Sequence, residues 1–171
     1  MPNAARTGIA RFASAGGMLL VGALLFGAAP MAKAGGGHRA AGGSDEAAVR
    51  RTVARAERGD AHAQAVLGFM YANGRGVPQS YDIAVDWYLR SAEQGDPDGQ
   101  YLLGLMYDKG FGVDMNVVVA HKWLNLAAAH APRQNRENFL AMRDAVGSKM
   151  TPAQLDLAEK LAADFVPTRQ H

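Results

Sequence analysis

The stretch Gly59-Asp60-Ala61-His62-Ala63-Gln64-Ala65-Val66-Leu67-Gly68-Phe69-Met70-Tyr71 returns 36 residues later as Gly95-Asp96-Pro97-Asp98-Gly99-Gln100-Tyr101-Leu102-Leu103-Gly104-Leu105-Met106-Tyr107. The offset continues without a gap through Gly74/Gly110, Gly76/Gly112, Val77/Val113, Ala84/Ala120, Trp87/Trp123 and Ala92/Ala128. Backwards it pairs Ala48, Val49, Ala56 and Glu57 with Ala84, Val85, Ala92 and Glu93. A fixed period in this range is the mark of a stacked repeat array, in which each unit buries its apolar face only against its neighbours.

Each unit reads as helix–turn–helix. Asp60 and Asp96 precede the first helix as N-caps, and Pro97 suits a first helical position. With Leu67 set at zero and about 100° per residue, Ala63, Gln64, Met70 and Tyr71 fall within about 60° of it, so this stripe is expected to be buried. Gly74 and Gly110 end the first helices, where a positive φ lets the last carbonyls be satisfied. Ser80 and Asn116 cap the second helices, and Ile83, Ala84, Trp87 and Ser91 form the expected buried stripe. Gly68 and Gly104 lie inside helices, where glycine costs ~1 kcal/mol against alanine, so a close helix–helix approach is expected there. Beyond Pro132 the period fades. Phe139, Leu140, Met142 and Val146, then the capping box Thr151-Pro152-Ala153-Gln154 followed by Leu155, Ala158, Leu161, Ala162 and Phe165, predict a divergent closing pair of helices.

These positions resemble the Sel-one-like repeat family, relatives of the tetratricopeptide repeat. The family pattern is A-x-A-Q-x-x-L-G-x-x-Y-x-x-G-x-G-V followed by x-x-A-x-x-W-x-x-x-A-A-x-x-G. Ala63, Gln64, Leu67, Gly68, Tyr71, Gly74, Gly76, Val77, Ala84, Trp87, Ala92 and Gly95 match it in the first repeat. Gln100, Leu103, Gly104, Tyr107, Gly110, Gly112, Val113, Ala120, Trp123, Ala127 and Ala128 match it in the second. Gly99 stands where alanine is expected, and Ser91 replaces the first alanine of the pair. The resemblance implies an all-α fold, a right-handed α/α superhelix (solenoid), and a role as adaptor or regulator of protein complexes. The organisation expected is a half repeat at 45–58, repeats at 59–94 and 95–130, a cap at 131–166 and a tail at 167–171. Some exported members carry a disulfide in each repeat. This chain has no cysteine, so their activities do not transfer.

Composition narrows the setting. The chain holds 18 basic and 16 acidic residues. Arg6, Arg11 and Lys33 lie in residues 1–34, which hold no acid, so the remainder sits near −1 and offers no broad field for nucleic acid. Arg6 and Arg11, the apolar run Gly17 to Ala29 and the small residues of Ala32-Lys33-Ala34 make the three parts of a secretory signal, with cleavage expected before Gly35. The rival is a retained anchor, since Phe12 to Ala32 is uncharged and long enough to span a bilayer. In that case the chain is tied to the membrane by its signal alone. Residues 35–44 read as a glycine-rich linker.

Motif-level chemistry is sparse. Gly74-Arg75-Gly76 and Gly110-Phe111-Gly112 follow helices, not strands, which makes them turns and not phosphate loops. His38, His62, His121, His130 and His171 show no ligand spacing, and no serine sits in a nucleophile motif. No cofactor, metal or catalytic residue is expected. Arg51, Arg55 and Arg58 form a basic stripe on the first helix, read either as a contact for an acidic partner or lipid headgroups or as the soluble outer face of a terminal cap. The sharper feature is the face of each first helix opposite its buried stripe. It carries His62, Ala65, Phe69, Ala72 and Asn73, then Asp98, Tyr101, Leu105, Asp108 and Lys109. If first helices line the concave surface, Phe69, Tyr101 and Leu105 rimmed by His62, Asn73, Asp98 and Lys109 make a protein-binding groove. The other reading is that neighbouring helices bury them.

The function expected is therefore a non-catalytic, exported interaction adaptor or regulator of the bacterial cell envelope holding a protein or peptide. The alternative is an envelope enzyme or accessory factor acting on cell-wall material. N-terminal sequencing of the mature protein should begin at Gly35; a mature chain still carrying Met18 to Ala29 would contradict the cleaved-signal reading.

Overall fold

The structure, a computed structural model, describes residues 41–168. The expected export signal, most of the linker and residues 169–171 lie outside them. Seven helices and no strand occur among the described residues: α1 (Ala41–Glu57), α2 (Ala61–Asn73), α3 (Tyr81–Glu93), α4 (Pro97–Lys109), α5 (Val117–His130), α6 (Arg133–Gly147) and α7 (Pro152–Ala163). The first helix begins at Ala41, inside the expected linker. A helix once nucleated gains a hydrogen bond for each added residue, which carries it through Gly42 and Gly43.

Local signals act as the sequence implies. Asp60 and Asp96 accept from the backbone N–H of Ala63 and Gly99, and Ser80 accepts from Ile83. Asn116 accepts from Val118 and Val119, and Thr151 and Gln154 close a capping box. Gly74 and Gly110 sit in the left-handed region at φ 65° and 69°, their N–H groups returned to Met70 and Met106. Gln64 and Gln100 are buried and perform one task twice. Gln64 Nε2 donates to the Ala56 carbonyl at 3.1 Å and Gln100 Nε2 to Ala92 at 3.2 Å. Each reaches back to a carbonyl near the end of the preceding helix, one that also accepts a backbone N–H from the turn, and so ties one hairpin to the next.

The hairpins close at the internal glycines. A Cβ on Gly68 would stand 2.6 Å from the Tyr88 ring and 3.0 Å from the Ala84 carbonyl. On Gly104 it would meet Leu124 at 2.7 Å and the Ala120 carbonyl at 3.1 Å. The two departures from the repeat pattern are one packing adjustment: a Cβ on Gly99 would collide with Ser91 Oγ and lie 2.6 Å from Ser91 Cβ.

The stripe expected on the second helix of the first repeat is corrected. On α3, Ile83 is 41% exposed and Trp87 half-buried, while Val85 and Tyr88 are buried. The helix packs on α2 and α4 at once, and the ring that fills the Gly68 notch is Tyr88, off the single stripe read from the sequence. The two closing helices form where the sequence places them. Both α6 and α7 pack against α5 and scarcely touch. The expected tail is also partly fixed. Thr168 N–H donates to the Glu93 carbonyl at 2.8 Å, and Phe165, at the end of the cap, meets Trp123 edge-on with centroids 5.3 Å apart.

Inner and outer layers follow from how the repeats stack. Helices α2 and α4 touch directly, whereas α3 and α5 barely meet. The first helices therefore form the inner layer of the two full repeats. Gly68→Ala should destabilise by ~1–3 kcal/mol in urea melts despite the better helix propensity of alanine, because the Tyr88 ring is already in van der Waals contact. Trp123, buried, should cost ~3–5 kcal/mol on replacement by alanine, and half-buried Trp87 clearly less. Equal losses would contradict this packing.

Candidate functional site

The 36-residue register sets the inner layer in rows, since equal repeat positions on α2 and α4 stand side by side. The rows are His62/Asp98 at the N-terminal edge, Phe69/Leu105 in the middle and Asn73/Lys109 at the C-terminal edge.

The middle row is not an open groove. Phe69, Tyr101 and Leu105 are 3%, 4% and 7% exposed. Tyr101 stacks on Phe139 of α6, centroids 4.1 Å apart and planes 10° from parallel. Arg75 lies over the Phe69 ring at 5.9 Å. The expectation of accessible apolar anchors fails because an inner helix is packed on several sides. Helix α4 touches α2, α3 and α5, and α6 contributes Phe139. A wheel measured from one buried stripe treats the opposite side as free.

The edges remain polar. At the C-terminal edge, Asn73 Nδ2 donates to the Phe69 carbonyl at 2.9 Å, and Lys109 is exposed. Beside it Asp108 is buried, with Lys149 Nζ 2.8 Å from Oδ1 and Lys109 Nζ 2.8 Å from Oδ2. Burial alone pushes this carboxyl up, but the two ammonium groups outweigh it and hold it below the usual carboxylate range. Lys149 comes from the α6–α7 turn, so this ion pair fastens the closing helices to the second repeat.

At the N-terminal edge His62 Nδ1 lies 3.8 Å from Asp96 Oδ2 and 3.8 Å from Asp98 Oδ2. Those distances exceed a direct hydrogen bond. The nearby Asp96 carboxylate, with Asp98 and Asp60 behind it, raises the imidazole above its ordinary value. Asp98 is buried and its Oδ1 has no hydrogen-bond partner. Burial first, then the like charge of Asp96, pushes its carboxyl up to about 6. Leaving a buried acceptor unsatisfied costs ~1–3 kcal/mol, more when charged. Linear histidine spacing misses this cluster. The signal that could have found it is the repeat period, which sets residue 62 beside residue 98.

A second polar cleft of about 390 Å³ lies between α5, α6 and α7, lined by His121, Asn125, Arg143, Asp144, Ser148 and Glu159 among others. It exists because α6 and α7 splay apart on α5. His121 is buried with Nδ1 unpartnered, and desolvation, then Arg143, lowers its pKa. Arg143 donates to Asp144 Oδ1 at 2.7 Å, and Ser148 Oγ donates to the Ala145 carbonyl. The sequence did not foresee this cleft, because its residues come from the segment where the period fades. Arg51 and Arg55 on the first helix and Arg58 in the turn after it are exposed, and Arg55 pairs with Asp60 at 2.7 Å.

Comparison with known proteins fits this architecture. The family model described as Sel1 repeat matches residues 61–96 and 97–131. The crystal structure of a Sel1 repeat protein from Oxalobacter formigenes is 40% identical, with a TM-score of 0.52, over 57% of this chain and 73% of that one. A protective antigen of uropathogenic Escherichia coli strains, described as displaying an SLR fold, is 30% identical with a TM-score of 0.64 over 70% of this chain. The match spans only 25% of that longer protein. No curated protein matches.

The Asp108 ion pairs set a pH dependence. The folded carboxyl titrates below its unfolded value, so its stabilisation is present above that value and lost as pH falls through the folded one. Asp108→Asn should cost ~1–2 kcal/mol at pH 7, discounted because both lysines are half-exposed. In urea melts the gap from wild type should close as the pH is lowered through the carboxylate range; a gap that persists in acid would place its origin outside the ion pairs.

Proposed function

The chain belongs to the Sel1 repeat family, and on that footing we propose a non-catalytic interaction scaffold, exported to the bacterial cell envelope, that holds a partner protein or peptide along its inner layer. Sel1 repeats are typically protein-interaction scaffolds. The observation that carries the reading here is the inner layer itself. Equal positions of α2 and α4 leave His62, Asn73 and Lys109 at its two edges, with a rigid buried row between them. Recognition along such a surface is polar, through charge and hydrogen bonds at the edges. A firm scaffold helps, because groups held by packing lose little freedom on binding. The envelope assignment rests on the three-part export signal read in residues 1–34.

The second reading, an envelope enzyme or accessory factor acting on cell-wall material, draws on the titratable cleft around His121. Two contacts weigh against it. Arg143 is occupied by Asp144 and so is not left to hold an anionic substrate, and the Ser148 hydroxyl is spent on a backbone carbonyl and so is not poised for His121 to activate.

A photo-crosslinking residue at position 73 or 109, introduced in the native envelope, should capture one discrete partner that the same group at Asp86, on the outer helix α3, does not. Capture equal at position 86, or none from the inner positions, would overturn the inner-layer reading. A His121→Gln variant should retain that capture; loss of cell-wall turnover in it would favour the second reading.

A further inference from the structure

The segment that follows α7 shows what the outer seam between two repeats can hold. Val166 precedes Pro167, which restricts it to extended backbone, and the chain crosses the second repeat at three points. Phe165 packs edge-on against Trp123, centroids 5.3 Å apart, and Lys122 Nζ stands 4.1 Å from the Trp123 ring centre and 5.4 Å from that of Phe165. Pro167 lies on Gly95, where a Cβ would stand 3.3 Å from Pro167 Cγ. Thr168 N–H donates at 2.8 Å to the carbonyl of Glu93, the last residue of α3, which its own helix leaves open. One aromatic ring, one proline and the N–H after it are thus read by a tryptophan, a positive-φ glycine and a helix end.

The 36-residue register repeats that platform one unit earlier. Trp87 stands at the position of Trp123, Gly59 at that of Gly95 with φ 85° against 88°, and Glu57, the last residue of α1, at that of Glu93. Gln64 and Gln100 tie each helix end to the next hairpin through equal bonds, so the two platforms are held alike. Two things differ. Asp86 replaces Lys122, and the surface is open. Trp87 is half-buried where Trp123 is 5% exposed, and no backbone N–H among the described residues reaches the Glu57 carbonyl from outside α1. Arg90 lies over the Trp87 ring at 4.8 Å, on an exposed side chain that can swing aside.

We propose that this outer seam of the first repeat, formed by Trp87, Gly59 and the Glu57 carbonyl, binds an extended segment of a second protein that carries an aromatic residue two places before a proline. The occupant follows from the segment seated on the equal surface of the second repeat. The aromatic ring covers the tryptophan, the proline lies on the glycine, and the N–H after the proline satisfies the helix end. Proline also holds the segment extended before it binds, which lowers the cost of ordering it. The tail of a second copy has this chemistry, but its own second repeat holds it at a roughly millimolar effective concentration, so the segment comes from a different protein. This partner is separate from the one on the inner layer. A crosslinker at Asp86, beside Trp87, should trap the former and not the latter, so either reading can fail alone.

The test uses the full chain labelled with nitrogen-15 and a synthetic peptide of residues 163–168, capped at both ends. The chain has two tryptophans, so two indole N–H signals report separately on the two seams, assigned with Trp87→Phe. The peptide should move the Trp87 signal saturably and leave that of Trp123 in place. Phe165→Ala in the peptide should weaken binding by ~10-fold or more. Asp86→Lys, at an exposed position, supplies the cation that Lys122 gives the second repeat and should tighten binding by ~2–5-fold. An unmoved Trp87 signal, an equal shift with a scrambled peptide, or movement of Trp123 alone would overturn the proposal. So would a Trp87 signal that moves when the chain alone is concentrated, because the occupant would then be a second copy.

Discussion

The close approach of paired helices at Gly68 and Gly104 sets the positions of everything else in the repeats. With no Cβ, each glycine lets its partner helix lie against backbone, and the space is taken by Tyr88 in one hairpin and Leu124 in the other. That contact fixes the spacing within a hairpin. The buried glutamines fix the spacing between hairpins, each returning to a carbonyl of the preceding helix. Glycine's unfavourable helix propensity is small beside the burial it permits, because Tyr88, Leu124 and the alanines around them are almost fully removed from water.

Close hairpins have a consequence for the inner layer. When α2 and α4 are drawn together, side chains that a single-helix wheel leaves exposed fall between neighbours. Tyr101 finds Phe139, and Phe69 and Leu105 are enclosed. The apolar content of this face is thus consumed in holding repeats together, and the accessible chemistry moves to the helix ends. Polar groups gather there for a local reason: helix starts select capping acids such as Asp96, and Lys109 lies in the last turn of α4, next to Asp108.

How much of this was legible follows the range of each interaction. The repeat, the caps at Asp60, Ser80, Asp96, Asn116 and Thr151 and the left-handed Gly74 and Gly110 depend on neighbours a few residues away, and the sequence carries them openly. The notch at Gly68 was legible as a cost in search of a reason, though not the identity of Tyr88 as its occupant. The fate of Phe69, Tyr101 and Leu105 depends on elements up to 38 residues distant, such as Phe139 against Tyr101, and no periodicity within one helix contains that information. The same holds for the His62–Asp96–Asp98 cluster and for the cleft around His121, both made by stacking. Start sites shift for a different reason, since helix α1 extends to Ala41 through residues whose composition reads as linker.

Whether the middle row is core is the point on which the polar-edge account of binding stands. The direct measurement is a thermal and urea melt of the Phe69→Ala, Leu105→Ala double variant beside wild type. Burial of both side chains predicts a loss of several kcal/mol, enough to remove much of a small domain's stability. A melt indistinguishable from wild type would contradict it, and would return these side chains to the open surface on which a partner could dock.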